Sequence, residues 1–201
     1  MRFFRHPLLV AAAMALGLAA CNKSGGAATA DDMGMGNPQA KVTVIEYASA
    51  SCPHCAEFNN EVFPAFKAKY IDTNKIHYVF REFLTPPVEV AASGFLIARC
   101  AGKDKYFSVL DAIYRGQQAM YQSGDYRGAL LRIAQSAGMS EQQFTACTTD
   151  DDALKALNAR VQKSIDSGIN ATPTFVVNGT KMDGAATMAN LDAAVAAAQA
   201  K

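Results

Sequence analysis

The chain has 201 residues, 50% of them hydrophobic, with 19 Lys and Arg against 18 Asp and Glu, a net charge of +1. A balance so near neutral, with no basic run beyond the first residues, gives no basis for nucleic-acid binding or for steering a charged partner over distance. Five cysteines make thiol chemistry the feature to explain.

In chain order, Arg2 and Arg5 precede an unbroken apolar run from Leu8 to Ala20. The run is short for a membrane span and ends in small residues, as a secretory signal does. The junction Leu18-Ala19-Ala20-Cys21 resembles a bacterial lipoprotein box. That resemblance implies cleavage of a signal, residues 1–20, and lipidation of Cys21, giving a lipid anchor to the membrane. The alternative is an ordinary signal peptide with Cys21 a bystander. Residues 21–38, rich in Gly, Ala, Ser and Asp, are expected to form a flexible tether. Residues 39–201 suffice for one domain with its own core. Export implies an oxidising compartment. Apart from Cys21, four cysteines remain: Cys52, Cys55, Cys100 and Cys147.

Residues 42–47 read as a buried strand, and residues 53 to about 70 as a helix. Between them stands Cys52-Pro53-His54-Cys55. Pro53 suits the first helical position, where its missing N–H costs nothing. Cys52 is thereby placed at the N-cap, where free backbone N–H groups and the helix dipole favour a thiolate. A thiolate both attacks disulfides and leaves from them. Pro64 should kink the helix. A second strand covers 76–83 and stops at Thr85-Pro86-Pro87. Strand signals then vanish. Val88, Ala92, Leu96 and Cys100 form a helical stripe, and 103–115 and 126–137 give two further helices. Ser140 to Gln143 reads as a capping box, with Met139 and Phe144 as its staple, opening a helix over 141–147. Leu154, Leu157, Val161 and Ile165 mark a helix that stops before Gly168. Asn178-Gly179 joins strands 174–177 and 180–182 in a hairpin, and a helix carrying Met188, Leu191 and Val195 follows.

This order resembles the thioredoxin-like fold, and specifically the DsbA-like thiol:disulfide oxidoreductases. The resemblance rests on Pro53-His54 between the cysteines, on the helical block after the second strand, and on the run from Gly168 to Phe175, similar to that family's cis-proline loop. It implies an α/β thioredoxin-like fold with a helical insertion at about 88–148. It implies Cys52 as the exposed exchanging sulfur of a redox-active disulfide, Cys55 as its buried partner, and His54 donating to the Cys52 thiolate. Pro173 is expected to be cis and, with Pro53 and Thr172, to line the substrate groove. The implied activity introduces disulfides into exported proteins in the periplasm. The enzyme would be a membrane-tethered monomer reoxidised by a membrane redox partner, with no metal or organic cofactor.

Each residue also has a plainer reading. The close pair at 52 and 55 fits a structural disulfide or half a zinc site, but a second close-spaced pair is missing. His54 fits an exposed helix-start histidine. Glu46 fits a solvated strand end. Its strand should nevertheless be covered on both faces, so we expect a buried proton acceptor for Cys55. Cys100 and Cys147 fit either two reduced core thiols or, given export, a structural disulfide. The same fold also serves reductases and isomerases. A lipoprotein module that binds exported polypeptides is the remaining alternative.

Overall fold

The computed structural model describes residues 28–201. The signal segment and Cys21 lie outside the described residues. Five strands form one sheet in the order β1-β3-β2-β4-β5. They are β1 (Met33–Gly36), β2 (Val42–Ala48), β3 (Ile76–Glu82), β4 (Thr174–Val177) and β5 (Thr180–Lys181). β2 and β3 run parallel, with Glu46 beside Phe80. β2 and β4 are antiparallel, with Glu46 beside Phe175.

β1 corrects one expectation. Met33–Gly36 falls in the expected tether, yet it pairs antiparallel with β3, Met33 opposite Phe80. A Gly-rich strand has little intrinsic preference for extension. It is held by the free edge of β3 and by burial of Met33, 7% exposed.

The parallel β2–β3 pair needs a crossover, supplied by a helical stretch over 53–71. It comprises α1 (Pro53–Glu57), a π-helical turn (Phe58–Val62), α2 (Phe63–Phe66) and a second π-helical turn (Lys67–Ile71). The first π turn is the structure's answer to Pro64. A proline inside an α-helix removes a donor and clashes with the carbonyl four residues back, and a widened turn relieves both. The helix packs on the sheet face of Phe175, whose ring centroid lies 4.9 Å from that of Phe58. The opposite face carries a smaller cluster of Ile45, Tyr47, Val79 and Val176 with Ile169.

The helical block comprises α3 (Val88–Cys100), α4 (Lys103–Ser123), α5 (Tyr126–Ser136) and α6 (Glu141–Thr148). α7 (Asp151–Asp166) leads back to the sheet and α8 (Met188–Gln199) closes the described chain. α4 is longer than its sequence pattern suggests. Gly116 does not end it; a Cβ there would meet only Ile133 at 3.9 Å, and the helix stops at Gly124, φ +69. The α3 stripe is wider than expected. Val90, Phe95 and Ile97 are buried while Val88 is 46% exposed, because α3 packs against several elements at once. Ser140 and Gln143 form the expected capping box. Asn178 and Gly179 take positive φ in the hairpin turn.

Cys100 and Cys147 are joined by a disulfide that ties α3 to α6. A buried ionic cluster ties the block to the sheet. Glu82, at the end of β3, accepts from Arg99 Nε at 2.5 Å, Arg160 Nε at 2.6 Å and Tyr106 OH at 3.2 Å. The cluster thus reaches α3, α7 and α4. A buried carboxylate needs such complete pairing to be tolerated.

Candidate active site

Cys52 is the N-cap of α1, with extended backbone angles, and Pro53 follows in the first turn. The loop that delivers it is fixed from several directions. Ser51 Oγ donates to Thr85 O at 2.6 Å. From α4, Gln117 Nε2 donates to Ala50 O at 3.0 Å and Cys52 O at 3.3 Å, and Tyr121 OH donates to Ser51 O. Gly94 of α3 lets that helix approach: a Cβ there would sit 3.1 Å from Ala50 Cβ. Gln117 and Tyr121 carry no local signal in the sequence; only the packing of α4 on this loop reveals them.

Both thiols are unbonded in the structure. Cys52 is 6% exposed and Cys55 fully buried. Cys52 is therefore less open than the resemblance implies, because the loop before β4 covers it. Cys52 Sγ donates to Thr172 O at 3.4 Å. The Thr172–Pro173 bond is cis. β5 pairs with β4 as far as Val176, and Met182 N donates to Phe175 O just beyond. Thr172 and Pro173 lie beyond the hairpin and are half-buried.

The two thiols are driven apart in acidity. Cys52 falls from 9.0 to about 5, chiefly through a hydrogen bond from Cys55. Burial opposes this, and the Thr172 side chain and the backbone N–H groups of Cys55 and His54 support it. Those two N–H groups are the unpaired donors of the helix start. Cys55 moves the other way: burial, the neighbouring Cys52 and the charge of Glu46 hold its proton on.

His54 departs from the expectation. Its ring is 80% exposed and its Nδ1 lies 3.3 Å from Glu57 Oε2. The donation to Cys52 comes from the His54 backbone N–H instead. A side chain in the first turn points outward, where the residue three positions on can hold it.

Glu46 is 3% exposed, on the β2 face that looks at α1. Its carboxylate accepts from Tyr78 OH. Burial pushes its pKa from 4.5 up to about 8, against the pull of Tyr78. Its proximity to Cys55 is felt in the acidity of that thiol. Tyr78 was not anticipated. It sits on β3 two residues before Phe80, the register partner of Glu46, a placement that strand pairing alone reveals. Among the described residues, no group of three His, Cys, Asp or Glu side chains is arranged to hold a metal.

The strand–CxxC–helix unit, the cis-proline loop against Cys52 and the inserted helical block define a thioredoxin-like domain of DsbA type. A family model described as Thioredoxin matches residues 28–197, and the chain belongs to this family. A "Putative protein-disulfide oxidoreductase" of Rickettsia bellii is 37% identical over 155 residues, 76% of this chain and 59% of that protein. The chain therefore spans about three-fifths of that relative's length. The structure of alpha-DsbA1 from Wolbachia pipientis matches with a TM-score of 0.76 at 27% identity, covering 86% of this chain and 95% of that one. Oxidised BdbD from Bacillus subtilis, at 22% identity and a TM-score of 0.68, shares the fold over 85% of this chain and 94% of its own.

Proposed function

We propose that the protein is a thiol:disulfide oxidoreductase that forms disulfides in exported proteins. The observation that carries this reading is the opposed acidity of the two thiols, about 5 at Cys52 and raised at Cys55, across one turn of helix. A substrate thiolate attacks Cys52 Sγ in the Cys52–Cys55 disulfide. Cys55 leaves with the electron pair and takes a proton from Glu46. A second substrate thiolate then attacks the substrate sulfur of the mixed disulfide, and Cys52 departs as the thiolate that the helix N-terminus favours. The stabilised leaving group pulls the reaction toward substrate oxidation and makes the enzyme's own disulfide easy to reduce. Glu46, with a pKa of about 8, can give and take a proton near neutral pH. The half-buried segment at Thr172 and Pro173, beside Cys52 Sγ, supplies the groove.

The names of the Rickettsia and Wolbachia relatives support the same chemistry. The lipobox-like junction at Cys21 supports a periplasmic, membrane-tethered protein. A membrane oxidant would regenerate the disulfide, and tethering would raise its local concentration. Equilibration with glutathione redox buffers, together with oxidation of a reduced dithiol peptide, tests the reading. We expect a potential near about −120 mV and rapid peptide oxidation. A potential below about −300 mV, the range of structural disulfides, refutes it.

A further inference from the structure

Beside Glu46 lies a small cavity that the exchange steps leave unused. It measures about 30 Å³ and is lined in part by Glu46, Tyr78, Tyr114, Asn59 and Asp111. Half of its lining is apolar, but the void is large enough for one water molecule, and the polar groups at its wall are numerous enough to hold it. The walls are unevenly satisfied. Tyr78 OH is already committed to Glu46. Tyr114 OH, on α4, is buried and has no hydrogen-bond partner. A buried hydroxyl left unpaired is costly, and a water in the adjoining cavity is the partner it lacks. At the outer end stands Asp111, its side chain 41% exposed. Asn59 Nδ2 donates to its Oδ1 at 2.9 Å, and Arg115 Nε to its Oδ2 at 2.8 Å.

We propose that this cavity is the proton outlet of the Cys55–Glu46 pair, with a water held by Tyr114 OH linking Glu46 to Asp111 and so to solvent. The proposal rests on the oxidoreductase reading and assigns roles that it leaves open. When Cys55 attacks a Cys52 mixed disulfide, a new bond forms between the two cysteine sulfurs. The bond from Cys52 to the departing sulfur breaks, and that sulfur leaves with the electron pair. The Cys55 proton goes to Glu46. The outlet then returns Glu46 to its carboxylate by passing that proton through the water to Asp111 and on to bulk solvent. In the reverse direction the same route recharges Glu46 with a proton for the departing Cys55. No oxidant beyond the disulfide itself is needed. Tyr114 is a positioning residue, since it orients the water and touches no reacting sulfur.

The electrostatic surroundings agree. The Tyr114 phenol is held well above its ordinary acidity by burial, then by Cys55, Glu46, Tyr78 and Tyr106. Tyr114 is therefore a proton-bearing anchor throughout the working pH range. The titratable groups facing Glu46 are Tyr78 from β3, Cys52 and Cys55 from α1, and Tyr114 from α4. Arg115 faces only Asp111, at the surface end.

The test uses the mixed disulfide of Cys52 with glutathione and follows glutathione release by Cys55 between pH 5 and 9, in H2O and D2O. Tyr114→Phe removes only the unpaired hydroxyl. It should slow release about tenfold, less than the 10² to 10⁴ typical of a direct proton-transfer group, and enlarge the solvent isotope effect. Asp111→Asn should slow it in the same direction. Alkylation of Cys52 should stay as in the parent protein in both. In a Glu46→Gln background, Tyr114→Phe should add nothing, because the outlet serves Glu46 alone. A parental rate in Tyr114→Phe, or an equal slowing with and without Glu46, overturns the outlet while leaving the oxidoreductase reading intact. A parent adduct that never releases glutathione overturns both.

Discussion

Replacing Thr172 by Val tests how the Cys52 thiolate is held. The two side chains are nearly the same shape, and the Thr172 hydroxyl has no partner other than the sulfur it favours. With Cys52 lowered from 9.0 to about 5, the folded reduced protein gains stability at pH 7 from an ionised thiol. Two decades separate pH 7 from the folded value, so the gain is about 3 kcal/mol. The sign follows from the depressed value. The full gain is present above 9.0, shrinks below it, and vanishes as pH falls through about 5. A hydrogen bond to a charged group contributes about 1.5–3 kcal/mol, so Thr172→Val should raise the Cys52 pKa by roughly 1 to 2 units. At pH 7 a rise of about 1.5 units removes roughly 1.4 decades of thiolate stabilisation, or about 40 mV of oxidising power. Iodoacetamide alkylation followed across pH 3 to 10 reads the thiolate directly, and a glutathione titration reads the potential. If the unsubstituted protein alkylates with a midpoint near 8, the helix N-terminus and Thr172 do not hold the thiolate. If Thr172→Val changes neither midpoint nor potential, the hydroxyl contributes nothing.

Glu46→Gln should remove the titration near 8 from the pH profile of Cys55 attack and slow that step, while the Cys52 alkylation midpoint near 5 stays in place, since a carboxyl that titrates near 8 is already uncharged there. An unaltered profile excludes Glu46 as the proton acceptor. The Cys100–Cys147 disulfide closes a loop with a sequence separation of 47. Replacing both cysteines by Ala should cost about 2–4 kcal/mol, near the chain-entropy value for such a loop, measured by urea unfolding at a fixed redox state. A loss under about 0.5 kcal/mol shows that α3 and α6 are held together without it.

Cys52, Pro53 and Cys55 lie within one helical turn, so their sequence spacing already dictates a thiol at a helix start. Ser140 with Gln143, and Asn178 with Gly179, were legible for the same reason: each interaction closes within three residues, and local geometry needs no partner from elsewhere. The apolar run along β2 placed Glu46 in a strand covered on both faces, and its burial followed from that. β1 was not legible. Met33–Gly36 has no strand preference of its own, and its pairing depends on which edge of β3 the topology leaves free.

The finer parts of the site belong to tertiary structure. Thr172 meets Cys52 across 120 positions, and Gln117 reaches the Cys52 carbonyl across 65. Tyr78 meets Glu46 through strand register, and Tyr114 joins them only because α4 packs over α1. In sequence Thr172 stands out only through the family resemblance, and Gln117, Tyr78 and Tyr114 are ordinary core residues. Folding gives them a role by removing water, since a hydroxyl or carboxylate becomes strongly coupled to a sulfur only where no solvent competes for it. The sequence by itself placed the Cys52 thiol at a helix start, and the fold decided how acidic that thiol is, because burial and donors from distant positions act on it.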